Sequence, residues 1–305
     1  MKPLHLVTPL IESLILSDLV EPTVWLKMEA LQPSGSFKIR GIGYACQHYL
    51  QQGATRFVAS SAGNAGLAVA YAGRQLGIPV TVVVPQTSSS VAIERIKRNG
   101  ADVVVKGADW DSAHEYAQTL LTEQCAYLHP FDDPLLWTGH ATLIDELAQV
   151  GLRPDGVVVA VGGGGLMCGL VEGMQRYGWD NVPLLAVETI GTDSLYASCQ
   201  AGERIQLEKI TSIASSLGAR RVAKQAFEIA QSWPVECHRV ADERAVAACR
   251  RFVDDHRVLV EPACGAPLSA VYDQADFFIG KKNVLVVVCG GVGVSLQQLL
   301  KWSNT

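Results

Sequence analysis

The stretch VVVAVGGGGLMCGL, residues 157–170, joins an apolar β-branched run, four consecutive glycines and the start of an apolar helical pattern. Glycines let the backbone approach an anion closely, and the N-terminus of a following helix favours negative charge. The stretch therefore predicts a buried strand, a tight turn that binds a phosphate group, and a helix. A tight turn without a ligand is the alternative interpretation.

This turn alone leaves open which phosphate compound it binds. Its glycines loosely fit the dinucleotide pattern G-x-G-x-x-G, through Gly162, Gly164 and either Gly165 or Gly169. An acidic residue about 20 positions further on completes that pattern, and Glu188 is a candidate for it. A nicotinamide-dependent oxidoreductase is therefore compatible with this stretch.

The same alternation of short apolar runs and longer helical patterns extends outward from residues 157–170. One series begins at Arg56, and a second follows Pro154 and ends in NVLVVVCGGVG, residues 283–293. Such alternation is typical of parallel strands that are covered by helices on both faces. The sequence predicts an α/β fold with two open, twisted, mostly parallel sheets flanked by helices.

Three further turns contain reactive or polar groups. SSAGNAG (60–66) offers hydroxyls, an amide and helix N–H groups to a carboxylate, unless Ser61 or Asn64 merely caps the helix. VVCGG (287–291) puts Cys289 at the end of a strand, where open α/β sheets bind ligands, although most such thiols are small buried hydrophobes. PSGSFKIRG (33–41) places Lys38 after small residues, whereas most lysines are solvated surface charges.

Composition and charge exclude several classes of protein. A chain of 305 residues with 49% hydrophobic and 18% charged residues predicts a compact globular protein of two lobes. The net charge of −5 and the lack of a basic run argue against a nucleic-acid partner. Prolines and acidic residues interrupt the apolar N-terminus, which predicts neither a signal peptide nor a membrane span. Eight cysteines without a CxxC pair favour reduced thiols and a cytoplasmic location.

Six motifs occur in the order that is typical of the fold type II pyridoxal-phosphate enzymes. The chain resembles this family from about Thr8 to near Leu300, and within it the catabolic L-serine/L-threonine dehydratases, or deaminases. Motifs spread over nearly the whole chain make the resemblance specific. They are PSGSFKIRG (33–41), SSAGNAG (60–66), PFDDP (130–134) with GH (139–140), VGGGGL (161–166), EPACGA (261–266) and VVCGG (287–291).

The resemblance implies pyridoxal 5′-phosphate as the cofactor and Lys38 as the catalytic residue that forms a Schiff base with it. It implies Ser36 as a second catalytic residue, close to the reacting centre. The implied cofactor-binding residues are Lys38, Phe37, Asn64, Gly162, Gly163, Gly164, Gly165, Leu166 and Cys289. The residues implied to grip the carboxylate of an amino-acid substrate are Ser61, Ala62, Gly63 and Asn64.

The resemblance also implies a monovalent cation, typically K⁺, behind the phosphate turn. The matching side chains are Glu188, Thr192 and Ser194, with the carbonyls of Gly162, Leu217 and Ala219 as weaker candidates. A capping or ion-paired carboxylate is the alternative interpretation of Glu188.

Ser216 departs from the family pattern. The animal-type serine dehydratases carry alanine at the matching position, near the ring face opposite Phe37. A hydroxyl there bears on ring packing and on the preference for serine or threonine.

The implied reaction is an α,β-elimination that converts L-serine into pyruvate and ammonia, and L-threonine into 2-oxobutyrate and ammonia. Serine racemase and β-replacement enzymes such as cysteine synthase share the fold and are alternatives. An NAD-dependent oxidoreductase and a non-catalytic binding protein for pyridoxal phosphate or amino acids are alternatives of other classes.

The implied architecture is a large cofactor-binding domain, residues 1–35 and 136–305, with a small domain, residues 36–135, inserted in it. The implied assembly is a homodimer. The chain ends soon after its last predicted helix and leaves no room for an effector-binding domain, which predicts a catabolic, unregulated type.

Overall fold

The computed structural model describes residues 1–302, and within them ten strands form two sheets. The strands are β1 Leu10–Glu12, β2 Thr23–Lys27, β3 Arg56–Ala59, β4 Val80–Val84, β5 Asp102–Val105, β6 Cys125–Leu128, β7 Gly156–Ala160, β8 Leu184–Thr189, β9 Val235–Val240 and β10 Asn283–Val287.

The large sheet has the order β1-β2-β10-β7-β8-β9, and the small sheet has the order β5-β4-β3-β6. Every pairing between these strands is parallel except that of β1 with β2. Strands β4 and β7 are buried along their whole length, because valine-rich runs suit a sheet that is covered on both faces. The predicted fold class is confirmed.

Twelve helices of the described residues connect and cover the strands. Aspartates cap two of them, and Gly77 ends a third in the left-handed conformation at φ 70°. The helices are α1 Leu14–Ser17, α2 Lys38–Gln51, α3 Asn64–Leu76, α4 Ser90–Arg98, α5 Trp110–Thr119, α6 Pro134–Gln149, α7 Gly165–Arg176, α8 Ser194–Ala201, α9 Lys224–Ser232, α10 Asp242–His256, α11 Pro262–Tyr272 and α12 Leu296–Trp302.

Each sheet has its own hydrophobic core. One cluster joins the large sheet to the second half of α6, from Leu143 onward, and to the helices that follow. Another joins the small sheet to α2, α3 and Leu136 at the start of α6. Separate clusters favour the predicted small domain at 36–135, whose limits stay a prediction.

A buried network of charges holds the start of α2. The guanidinium of Arg40 makes ion pairs with Glu29 at 2.7 Å and with Glu146 at 2.6 Å, and Lys27 pairs with Glu146 at 2.5 Å. Arg40 and Glu29 are fully buried, so each charge depends on its partners. Because Arg40 lies two residues after Lys38, this network fixes the direction in which α2 begins.

Four of the segments singled out in the sequence follow the carboxyl ends of strands. The Gly162–Gly165 turn follows β7 and Cys289 follows β10 in the large sheet, whereas Ser60 follows β3 and Pro130 follows β6 in the small one. Contacts described below join these four ends, so the two sheets face one site. Among residues 1–302, no helix combines the length and apolar character needed to span a membrane.

Candidate active site

Lys38 lies at the junction of the two lobes, as the first residue of α2. The preceding residues are tied to the segment after β10, because the Phe37 N–H donates to the carbonyl of Cys289 at 2.9 Å and Ser36 bridges with Gly290. Gly35 makes the necessary turn at φ 78°, which favours glycine. The small residues before Lys38 therefore permit a close approach of two backbone segments.

The amine of Lys38 has a low-polarity environment. Its Nζ donates a hydrogen bond to the carbonyl of Pro130 and lies 5.1 Å from the centroid of the Phe37 ring. Burial lowers the pKa of Lys38 to about 8, and the nearby Cys289 and Glu261 oppose the shift only in part. A substantial neutral fraction is therefore present near physiological pH, as a nucleophile or a base needs.

The Gly162–Gly165 turn is packed too tightly for side chains. A Cβ on Gly163 would overlap the ring of Phe131, and one on Gly164, at φ 89°, would overlap Ala226. No side chain caps α7, so the N–H groups of its first turn, which includes Leu166, have no intrahelical acceptor. This is the geometry of an anion site at a helix N-terminus.

The Ser61–Asn64 turn also leads into a helix without a side-chain cap. Gly63 is the N-cap residue of α3, so neither Ser61 nor Asn64 caps it. The Ser61 hydroxyl accepts a hydrogen bond from the Gly63 N–H at 3.3 Å, and Ala62 and Gly63 are at least partly exposed. The free N–H groups of α3 can therefore receive a carboxylate.

Asn64 is held by a residue of the other lobe. Its Nδ2 donates to Glu261 Oε1 at 2.6 Å, while Glu261 Oε2 accepts from the Gly293 N–H at 2.8 Å. Asn64 Oδ1 and Ser36 Oγ are buried, with no hydrogen-bond partner among residues 1–302. A buried polar atom without a partner is costly, so both atoms indicate a ligand between the lobes.

Cys289 is buried beside a second thiol. A hydrogen bond with Cys264 and burial together raise the pKa of the Cys289 thiol well above its usual range. The thiol therefore stays neutral at physiological pH and carries no charge into the site.

The residues predicted for a cation surround the N-terminus of α8. Both carboxylate oxygens of Glu188 accept backbone hydrogen bonds there, from Leu195 at 2.9 Å and Tyr196 at 2.7 Å. The Thr192 hydroxyl lies 2.7 Å from that of Thr189, and Ser194 Oγ is buried without a partner among the described residues. Burial raises the pKa of Glu188 to about 8. Glu188 thus accepts N–H groups of the first turn of α8, as a capping carboxylate does, and the cation stays a prediction.

Ser216 lies in a short 3₁₀ turn, Ser215–Leu217, and is exposed. A Cβ built on Gly293 would lie 3.7 Å from its hydroxyl oxygen, so Ser216 approaches the segment that Glu261 holds. The 3₁₀ turn also contacts the Gly162–Gly165 turn, since Leu217 lies against Gly162. After the 3₁₀ turn, the N–H of Ala219 donates to the carbonyl of Leu217.

Three site residues were not predicted with a role. Glu261 lies in a quoted motif, but its contact with Asn64 joins distant parts of the chain. His140 is buried, with its ring centroid 5.0 Å from that of Phe37, and burial keeps its pKa well below 6.5. Pro130 contributes only a carbonyl, which no side-chain pattern reveals.

Comparison with a protein family agrees with this geometry. The family described as "Pyridoxal-phosphate dependent enzyme" matches residues 1–290. The chain belongs to this family. The predicted resemblance and cofactor are therefore confirmed.

Members with known names and structures cover nearly the whole chain. It is 47% identical to the human "L-serine dehydratase/L-threonine deaminase" over 98% of this chain and 94% of that protein. A fungal L-serine ammonia-lyase from Rhizomucor miehei has a TM-score of 0.94 at 36% identity, over 100% of this chain and 99% of that chain. Maize serine racemase has a TM-score of 0.89 at 26% identity, over 99% and 93% of the two chains.

The residues of this family member fit pyridoxal phosphate. The start of α7, which no side chain of residues 1–302 caps, suits a phosphate group, and the buried amine of Lys38, with its lowered pKa, suits an aldehyde. Asn64 Oδ1 and Ser36 Oγ, which have no partner among the described residues, offer further polar contacts. The site thus supplies a group for each end of the cofactor.

Proposed function

We propose that the protein is a pyridoxal-phosphate-dependent ammonia-lyase that converts L-serine into pyruvate and ammonia, and L-threonine into 2-oxobutyrate and ammonia. The observation that carries this proposal is Lys38, whose Nζ donates to the carbonyl of Pro130 near Phe37, together with helices α3 and α7, which have no side-chain cap among the described residues. The 47% identity to the human dehydratase supports the choice of reaction within the family.

The proposed cofactor contacts come from both lobes. The N–H groups of Gly162–Leu166 would hold the phosphate, Phe37 would pack on the ring and Cys289 would face the ring nitrogen. Asn64 would hydrogen bond the ring and Lys38 would be the point of attachment. Pyridoxal phosphate, when bound, supplies an aldehyde that takes up amino groups and a conjugated ring that accepts electron density.

The proposed substrate contacts follow from the start of α3. The N–H groups and hydroxyl of Ser61, Ala62, Gly63 and Asn64 would bind the carboxylate and so fix the Cα–H bond of the amino acid. Lys38, when its amine is free and neutral, would remove the Cα proton as a general base. Ser36 Oγ, which lacks a partner within residues 1–302, would donate a hydrogen bond to the reacting substrate.

Cys289 favours elimination over transamination. Its pKa is raised, so the thiol stays neutral and supplies no carboxylate-like charge beside the ring. Without that charge the chain would not stabilise a proton at the ring nitrogen of bound pyridoxal phosphate, which would favour departure of the β-hydroxyl, together with a proton, as water.

The decisive experiment combines colour and product. The purified protein should show the visible absorbance of bound pyridoxal phosphate and release equal amounts of pyruvate and ammonia from L-serine. Lys38→Ala should lose both, whereas Lys97→Ala, at a lysine that is about half exposed, should keep both. A colourless wild-type protein, or a coloured one that releases no pyruvate, would refute the proposal.

Serine racemase is the second candidate, because the maize enzyme shares the fold at 26% identity. A racemase must return a proton to the opposite face of Cα, and Ser61 is the residue considered for that role. Chiral analysis of the products separates the two reactions, since D-serine as the main product would replace the dehydratase. Relative rates on serine and threonine test the role of Ser216.

We also propose a K⁺ ion near Glu188, Thr192 and Ser194. The buried Glu188 and Ser194 Oγ, which has no partner among the described residues, support it, because a cation would offset the burial that raises the pKa of Glu188. Potassium chloride should therefore raise the melting temperature above that in choline chloride, and Glu188→Gln should remove the difference. Equal melting temperatures of the wild type in both salts would contradict the cation.

We further propose a homodimer in the cytoplasm, with a small domain at residues 36–135. The cytoplasmic location is supported by eight cysteines that are all free thiols, and cell fractionation tests it. The domain limits are supported by the separate hydrophobic clusters, and limited proteolysis near residue 135 tests them.

A further inference from the structure

A chain of hydrogen bonds lies behind the Ser61–Asn64 turn. Nδ1 of His114 on α5 is 2.6 Å from the hydroxyl of Tyr127 on β6. The same hydroxyl is 2.6 Å from Oγ of Ser60, the fully buried residue that immediately precedes the turn. Ser60 is thus linked through Tyr127 to helix α5.

Trp110, which lies on α5 like His114, also contacts Ser60. Its indole N–H donates to the carbonyl of Ser60, and its ring stacks on His114 with centroids 5.1 Å apart and an interplanar angle of 14°. Helix α5 therefore fixes both the backbone and the side chain of Ser60. We call Trp110, His114, Tyr127 and His129 the aromatic brace.

His129 extends the aromatic brace to the Lys38 side of the site. Its ring lies 6.2 Å from Tyr127 and 6.0 Å from His114, measured between centroids. Its Nδ1 accepts the N–H of Phe131 at 3.2 Å, next to the Pro130 carbonyl that receives Lys38. Burial lowers the pKa of His129 to about 4, so it remains a neutral acceptor.

The turn itself has few hydrogen bonds of its own. The Ser61 Oγ accepts from the Gly63 N–H at 3.3 Å within the turn. Otherwise the position of the turn depends on Ser60, which precedes it, and on the side chain of Asn64, its last residue, which is bound to Glu261. Burial raises the pKa of Tyr127 to about 12, so its hydroxyl stays protonated and can always donate. Removing this hydroxyl would leave the buried Ser60 Oγ without that partner, which costs about 1–3 kcal/mol.

We propose that Tyr127, oriented by His114, is a positioning residue that fixes the substrate-carboxylate turn through Ser60. This proposal rests on the proposed function, which assigns the binding of the substrate carboxylate to residues 61–64. A positioning role predicts weaker binding of every amino acid at the site, with little change in the rate of bond breaking.

The test uses Tyr127→Phe, which keeps the ring and removes only the hydroxyl. The KM for L-serine should rise about tenfold or more, as expected from an unpaired buried hydroxyl, while kcat changes less than about threefold. L-alanine has no β-hydroxyl to lose, so its dissociation constant, read from the visible absorbance of the holoenzyme, should rise by a similar factor. The pyridoxal-phosphate content should be unchanged.

Two further variants make the test specific. His114→Ala should raise the KM for L-serine and the dissociation constant of L-alanine as Tyr127→Phe does. His114→Asn should keep both close to the wild-type values, because an asparagine side chain can replace the hydrogen bond of Nδ1. Tyr116→Phe is the matched control, since Tyr116 lies on α5 but contacts Lys106 rather than Ser60. It should resemble the wild type in both measurements.

The results can separate this proposal from the proposed function. A wild-type enzyme that binds L-alanine but releases no pyruvate from L-serine would refute the function and still allow the alanine test of the aromatic brace. A KM and an alanine dissociation constant within twofold of the wild type in Tyr127→Phe would overturn the positioning role. A fall in kcat alone would overturn it as well, because it would place Tyr127 in the chemical step.

Discussion

Lys38 is a residue whose chemistry depends on the state of one proton. Only the neutral amine attacks an aldehyde, and burial lowers the pKa of Lys38 to about 8 from the ordinary 10.5. The rate at which cofactor-free protein takes up pyridoxal phosphate should therefore rise with pH and level off above about 8. Stopped-flow absorbance measures this rate, and Lys38→Ala gives the background of other lysines. A rise centred near 10.5 would contradict the effect of burial.

Glu261 shows what sequence reasoning at the residue scale could not reach. Candidate roles for Lys38, Asn64, Cys289 and the glycines follow from the resemblance of their short motifs to those of the family, and these roles stay predictions. Glu261 also lies in such a motif, but the motif alone assigns it no partner. The hydrogen bond from Asn64 to Glu261 joins residues 197 positions apart, so it depends on how the two lobes approach each other. The roles of His114 and Tyr127 are hidden for the same reason, since neither lies in a glycine-rich turn.

At the scale of single elements, the alternation of strands and helices could be predicted from the sequence, because buried parallel strands such as β4 and β7 consist of continuous valine-rich runs. The charge network around Arg40 could not be predicted from the sequence, because its partners Glu29 and Glu146 lie in other elements and meet Arg40 only in the folded chain. The tight turn between β7 and α7 could be predicted in outline, since four glycines permit close packing. Its actual neighbours, Phe131 and Ala226, come from other parts of the chain.

The join between β7 and α7 gives a prediction with a built-in control. Gly164 and Gly178 both have positive φ, at 89° and 66°, but only Gly164 has no space for a Cβ. Gly178→Ala should cost only the left-handed conformation, about 1–2 kcal/mol of the free energy of unfolding. Gly164→Ala should cost about 1–3 kcal/mol more from overpacking. Chemical denaturation of both cofactor-free variants measures the difference.

The affinity for pyridoxal phosphate should also fall more in Gly164→Ala than in Gly178→Ala. Displacing the start of α7 moves the N–H groups that are proposed to hold the phosphate, so pyridoxal phosphate should dissociate more readily from Gly164→Ala than from Gly178→Ala. Equal cofactor affinities in the two variants would show that the phosphate lies elsewhere. Equal stabilities would instead show that Ala226 moves aside at little cost.

At the scale of the whole molecule, the site exists only where the lobes meet. Besides the Asn64–Glu261 bond, Arg220 pairs with Asp111 at 2.8 Å, and Arg95 on α4 donates to the carbonyl of Val292. Each link joins the lobe of the small sheet to the lobe of the large sheet. The Gly162–Gly165 turn and the Ser61–Asn64 turn lie in different lobes, which explains why the motifs are spread over nearly the whole chain.

The proposed homodimer can be tested at an apolar edge of the large sheet. Within residues 1–302, β1 pairs only with β2, so its other side presents an unpaired strand edge that can accept a second chain. Val7 and Leu14, on either side of β1, are 75% and 69% exposed. Two copies that meet at this edge would bury these side chains, and burying each is worth about 1.5–3 kcal/mol.

Light scattering should therefore give a mass about twice 32.7 kDa for the wild type. Leu14→Asp would place a charge in the contact and should shift the mass towards that of one chain, with a steep dependence on protein concentration. Val150→Asp is the matched control, because Val150 is similarly exposed, at 67%, but lies at the end of α6, far along the chain from β1. A Leu14→Asp variant that stays a dimer would place the contact at another surface. A wild type with the mass of one chain would remove the dimer itself.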